Sequence, residues 1–150
     1  IEEDCYRKGF LHVTSHVSDP LPASAGLAVL DVIEEEGLVA RARERGNYLL
    51  AGLRELQAKH EQVGDVRGLG LLAGLELVED RESRRPADEL GAAVTRECLE
   101  RGLSMNIVRA GSSANTFRMA PPLVVTEAEI DLALEILDAS LRAALSRAAA

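Results

Sequence analysis

Residues 62–78 constrain the fold more than any other stretch of this chain. Val63 and Val66 precede Gly68 and Gly70, after which Leu71, Ala73, Leu75 and Leu77 alternate with Leu72, Gly74 and Glu76. Alternation of this kind puts one set of side chains on each face of a pleated strand. A glycine between two such runs supplies the backbone freedom of a tight link. The stretch therefore reads as a β-hairpin with one apolar face. Helical periods flank it on both sides, so the chain has to lay helices against a sheet.

Before the hairpin, residues 1–8 read as the end of a helix closed by Gly9, and residues 10–13 as a short strand. Pro20 and Pro22 open a helix with Ala25, Ala28, Val29, Val32 and Ile33 at helical spacing. Gly37 interrupts it, and a second helix runs through Leu38, Ala42, Leu49, Leu53 and Leu56. After the hairpin come a charged loop over 79–86 and a helix placed by Leu90, Val94 and Leu99, ending at Gly102. Leu103, Met105 and Ile107 alternate with Ser104 and Asn106 and predict a strand beginning at once. Residues 109–115 read as a small polar loop, and 116–120 as a short strand stopped by Pro121 and Pro122. Thr126 and Glu129 form a capping box for a last helix carrying Ile130, Ala133, Leu134, Leu137, Leu141 and Leu145. The order predicts an α+β fold, helices packed on a small, mostly antiparallel sheet.

The chain has 150 residues, 47% hydrophobic but only 3% aromatic, so the core must be built from Leu, Val, Ile and Ala. A net charge of -8 argues against a nucleic-acid partner, which needs a basic face. No apolar run reaches the roughly 18 residues of a membrane span. Cys5 and Cys98 have no metal-type spacing and read as free thiols of a reducing compartment, the cytoplasm. The chain begins with Ile1, without an initiator Met or signal peptide, and reads as a fragment or a processed chain.

Arg118 is the residue that most invites a functional reading. It lies in Thr116-Phe117-Arg118-Met119-Ala120-Pro121-Pro122, a lone cation in an apolar strand. One reading is an edge-strand arginine facing water; the other is an anion clamp, because the guanidinium fork matches a carboxylate. Residues 14–19 concentrate hydroxyls and a carboxylate before a helix, either as an N-cap through Ser18 or Asp19 or as a phosphate or cation site. His12, His16 and His60 share no ligand spacing. Gly64, Gly68, Gly70 and Gly74 lie inside the hairpin, so they are not a dinucleotide fingerprint.

Four segments together resemble one family. Ser15-His16-Val17-Ser18-Asp19-Pro20, Gly64-Asp65-Val66-Arg67-Gly68-Leu69-Gly70-Leu71-Leu72, Leu103-Ser104-Met105-Asn106-Ile107-Val108 and Phe117-Arg118-Met119-Ala120-Pro121-Pro122-Leu123 are similar to class III aminotransferases. Their combination most resembles the 2,2-dialkylglycine decarboxylases of that class. The resemblance implies a pyridoxal-phosphate enzyme of fold type I, with residues 1–19 the tail of the large cofactor-binding domain and 20–150 the small C-terminal domain. It implies that Arg118 binds the substrate carboxylate and that Ser15 reaches a cofactor phosphate. Ser15, Val17 and Asp19 would contribute to a potassium site. The implied reaction is decarboxylation-dependent transamination of 2,2-dialkylglycines, with small amino-acid and keto-acid substrates, in a homodimer or homotetramer.

The chain also departs from that pattern. Residues 109–115 read R-A-G-S-S-A-N, less glycine-rich than the decarboxylase loop, which opens an ω-amino acid or ornithine-type aminotransferase as the alternative. The lysine that holds the cofactor covalently is expected before residue 1, because Lys8 and Lys59 are the only lysines and neither suits the role. By itself, then, the chain is expected to be inactive and to need the missing N-terminal region. A reading of another class is a free-standing binding module, against which the absent Met stands.

Overall fold

The computed structural model describes residues 2–9, 19–110 and 113–148. The chain divides into two compact units, Ile1–Glu36 and Gly37–Ala150. The first holds helices α1 (Glu2–Arg7) and α2 (Pro20–Glu35). Asp19 caps α2, its side chain accepting a hydrogen bond from the Leu21 N–H at 3.2 Å, and Pro20 takes the first helical position. No residue of α2 is buried, although Leu21, Leu27, Val29 and Leu30 lie along it. The strand expected over residues 10–13 lies outside the described residues.

The second unit runs α3 (Leu38–Lys59), β1 (Val63–Leu69), β2 (Leu72–Leu77), α4 (Asp88–Glu100), β3 (Asn106–Ala110), β4 (Ser113–Met119) and α5 (Glu127–Ala148). Its four strands form one sheet in the order β1-β2-β4-β3, with every neighbouring pair antiparallel. The α+β architecture expected from the sequence is the one observed. One sheet face carries Ala73, Leu75, Leu77 and Phe117, all buried against Leu49, Leu53 and Leu56 of α3, Val94 and Cys98 of α4, and Ile130, Leu137 and Leu141 of α5. That single aliphatic layer is the core, and Phe117 is its one fully buried aromatic ring among the described residues. The capping box forms as expected, Thr126 Oγ1 accepting from the Glu129 N–H while Glu129 Oε2 accepts from the Thr126 N–H.

Three local expectations need correction. Leu103 does not begin a strand. Its N–H donates to the Cys98 carbonyl at 2.8 Å after Gly102 takes φ 89°, so it belongs to the C-terminal cap of α4, and β3 begins three residues later. The loop expected over 109–115 is largely strand, because β3 continues to Ala110 and β4 starts at Ser113. Polar partners make that extension possible. Asp88 Oδ1 accepts from the Ala114 N–H at 2.7 Å, and the buried Asn115 Nδ2 donates to the Leu77 carbonyl at 2.8 Å. Finally, Leu99 does not face the core; it is 65% exposed. It lies five residues after Val94, on the opposite side of the helix, and the inward places go to Glu97 and Cys98.

Candidate functional site

The helices cover one face of the sheet, and the candidate site is the other. Pairing register places its residues. Arg67 lies opposite Gly74, Gly74 opposite Arg118, and Arg118 opposite Asn106, so these four positions form one row across all four strands. The neighbouring row is Asp65, Glu76, Thr116 and Val108. Alternation along β4 sends Phe117 and Met119 toward the core and leaves Arg118 exposed on the open face, the orientation expected from its sequence.

The two arginines of the row differ in their partners. Arg67 Nη1 donates to Asp65 Oδ2 and to Glu76 Oε2, at 2.5 and 3.0 Å. Its aliphatic stem lies over Gly74, where an added Cβ would sit 3.7 Å from Arg67 Cγ. The side chain of Arg118, about 10 Å away by strand spacing, has no hydrogen bond or ion pair with any described residue. Its charge therefore lacks an internal carboxylate, and its five N–H donors are available to a ligand. A shallow groove of about 540 Å³ runs along this face past Arg67, Gly74, Thr116 and Arg118. On its other side Arg118 borders a second, largely apolar hollow of about 630 Å³ lined by Met105, Met119, Pro122, Glu129 and Ile130. A cation at the junction of two largely apolar recesses suits a small organic carboxylate.

The other expected site residues fare differently. Ser15 and Val17 lie outside the described residues, as do His12 and His16. Asp19 is the N-cap of α2 and belongs to the first unit, Arg118 to the second. Among the described residues, no group of three or more His, Cys, Asp or Glu side chains could hold a metal ion. His60 is a paired core residue, its Nε2 lying 2.6 Å from Asp138 Oδ1 at the end of α3. Burial raises the Asp138 carboxyl, but the hydrogen bond to His60 and the charges of Arg142, His60 and Lys59 outweigh it and leave it below the usual carboxylate range. Cys98 is a buried free thiol, pushed up chiefly by that burial.

Sequence reading did not single out Arg67 or Glu76. The signal was present, since a two-residue link at Gly70 and Leu71 pairs Leu69 with Leu72 and hence Arg67 with Gly74. Placing Arg118 beside them required the pairing of β2 with β4, which joins positions as distant in the chain as Gly74 and Arg118.

The model of the family described as aminotransferase class-III matches residues 5–141. An uncharacterised aminotransferase of Schizosaccharomyces pombe is 45% identical over 141 residues, covering 94% of this chain and 32% of its own length. A 5-aminovalerate aminotransferase of Pseudomonas aeruginosa is 39% identical over 123 residues, 82% of this chain and 28% of its own. A solved transaminase from directed evolution by ancestral reconstruction superposes with a TM-score of 0.80 at 38% identity, over 98% of this chain and 32% of that one. The chain thus spans about a third of the length of the relatives it matches. Over that third, the sequence, the fold and the family model agree: the chain belongs to the class III aminotransferases.

Proposed function

We propose that this chain is the substrate-carboxylate-binding part of a pyridoxal-phosphate-dependent enzyme that moves an amino group between a small amino acid and a keto acid. The observation that carries the reading is Arg118, an exposed guanidinium without an internal partner among the described residues, on the open face of the sheet. Its planar fork can hold a carboxylate through two parallel hydrogen bonds, and so fix how the substrate's remaining bonds are directed. The apolar hollow beside it would take the non-polar part of the same molecule.

The family uses pyridoxal phosphate, which supplies the electron sink for amino transfer. The described residues of this chain do not fit its covalent attachment. Lys8 follows α1 and Lys59 ends α3, and both are exposed. We therefore assign the attachment to the rest of the protein, and assign to Arg118 the orienting of substrate. Ser15 as a contact to the cofactor phosphate rests on the family resemblance, as does the division into a large-domain tail, 1–19, and a small domain, 20–150. The exposed apolar side chains of α2 support a larger assembly, a homodimer or homotetramer, in which that helix is covered.

Two narrower activities remain as proposals. The motifs around Ser15–Asp19 and Arg118 favour decarboxylation-dependent transamination of 2,2-dialkylglycines. The similarity to a 5-aminovalerate aminotransferase favours ordinary transamination of an ω-amino acid. The full-length protein with pyruvate separates them: release of carbon dioxide from 2-aminoisobutyrate supports the first, and turnover of 5-aminovalerate without it supports the second. Of the potassium site expected at Ser15, Val17 and Asp19, only Asp19 lies among the described residues, where it caps α2. Equal rates with and without potassium would remove that element of the reading.

A further inference from the structure

Two carboxylates neighbour Arg118 among the described residues, and both are engaged elsewhere. Glu129 borders the same hollow, but its Oε2 accepts from both the N–H and the hydroxyl of Thr126. Glu76 pairs with Thr116, two residues before Arg118 on β4, which makes it the diagonal neighbour of Arg118 on the open face. Diagonal neighbours lie roughly 7–8 Å apart between Cα atoms, a span that a glutamate and an arginine bridge easily. Yet Glu76 accepts from Arg67 Nη1 at 3.0 Å instead. Arg67 is brought there by Gly74, over which its stem lies, and Asp65 holds the same guanidinium from the other side. Asp65 itself is on β1, two strands from β4.

The geometry points to Arg67 as a positioning residue for the carboxylate site: by occupying Glu76, it keeps that side chain off Arg118 and leaves Arg118 open to an external carboxylate. The charges support it. Asp65, Arg67 and Glu76 form a cluster with one carboxylate in excess. Without Arg67 there would be two unpaired carboxylates, and Arg118 is the cation diagonal to Glu76 on the open face; Arg81 and Arg84 border the same recess as Asp65 and Glu76, but Arg81 is held by the carbonyls of Gln57, His60 and Glu61. An Arg118 paired with Glu76 would have to lose that partner before binding substrate, so the pair would compete directly with the substrate carboxylate. This inference rests on the reading of Arg118 given above and adds to it the residue that sets its availability.

The test uses the full-length protein and phenylglyoxal, which modifies free guanidinium groups, with the rate at Arg118 followed by peptide mass spectrometry. In the unaltered protein Arg118 is modified readily, and pyruvate or alanine protects it. Arg67→Met slows modification of Arg118 by roughly two- to fivefold, the range of a partly exposed ion pair. Arg67→Met combined with Glu76→Gln restores the original rate, and Arg67→Lys, which can still hold Glu76, stays close to it. In steady-state assays the same variants move KM for the amino acid in parallel while kcat holds, a pattern that mere loosening of the hairpin would not give. If Arg67→Met leaves the Arg118 rate unchanged, or if Glu76→Gln fails to rescue it, the role of Arg67 is wrong while the carboxylate site stands. If neither pyruvate nor alanine protects Arg118 in the unaltered protein, the carboxylate reading itself fails.

Discussion

Gly46 in α3 and Gly70 in the link between β1 and β2 touch backbone to backbone: a Cβ on Gly46 would lie 2.1 Å from the Gly70 carbonyl carbon. Gly70 itself takes φ 55°, the left-handed conformation that closes the hairpin. The contact seats the hairpin on α3, and with it the row that carries Arg67. In an ordinary helix interior, Gly→Ala gains about 1 kcal/mol. Here the added methyl meets fixed backbone, so Gly46→Ala is expected to destabilise the fold by about 2 kcal/mol or more. Urea unfolding followed by circular dichroism measures it; a stabilised Gly46→Ala variant would show that α3 and the hairpin are not in contact.

Arg118→Lys keeps the charge and loses the fork. In the full-length protein it is expected to lower kcat/KM for amino-acid substrates by about 2 kcal/mol, some thirtyfold, with little change in thermal stability. Stability is spared because the Arg118 side chain is exposed and has no internal partner among the described residues. Unchanged kcat/KM in a folded variant would return Arg118 to the status of a surface arginine.

Glu97 is a carboxylate in the core layer, its side chain 2% exposed, held by Arg101 Nη1 at 3.1 Å and Arg147 Nη1 at 2.5 Å. It ties α4 to the last turn of α5. Either arginine alone can neutralise it, and both reach water, so single replacement by Ala is expected to cost less than about 1 kcal/mol. Replacing both leaves a buried charge unpaired and is expected to cost about 3 kcal/mol. A double-mutant cycle checks this, and simple additivity of two small losses would contradict it.

Asp138 sets part of the acid limit of stability. Its carboxyl is held below the usual range in the folded state, so its contribution is fully present above the unfolded value near 3.9 and is lost as pH falls through the folded value. As pH falls through this range, Asp138→Asn should therefore lose less stability than the unaltered chain. Parallel urea midpoints for the two proteins across that interval would show that the pair with His60 contributes nothing to acid sensitivity.

Much of this architecture follows from local sequence. Pro20 after Asp19, Thr126 with Glu129, and the alternation of Leu71, Ala73, Leu75 and Leu77 each specify a cap or a strand within a few residues, because the groups that satisfy one another are neighbours in the chain. Arg118 was legible for the same reason, since alternation alone turns it away from Phe117 and Met119. What only the tertiary structure decided are relationships between distant segments. The pairing of β2 with β4 puts Glu76 diagonal to Arg118, the approach of α3 to the hairpin makes Gly46 indispensable, and the packing of α5 on α4 buries Glu97 where the helical pattern had pointed to Leu99. These depend on which strand edges and helix faces meet, and that choice is made by the packing of the whole core, of which no local period carries a record.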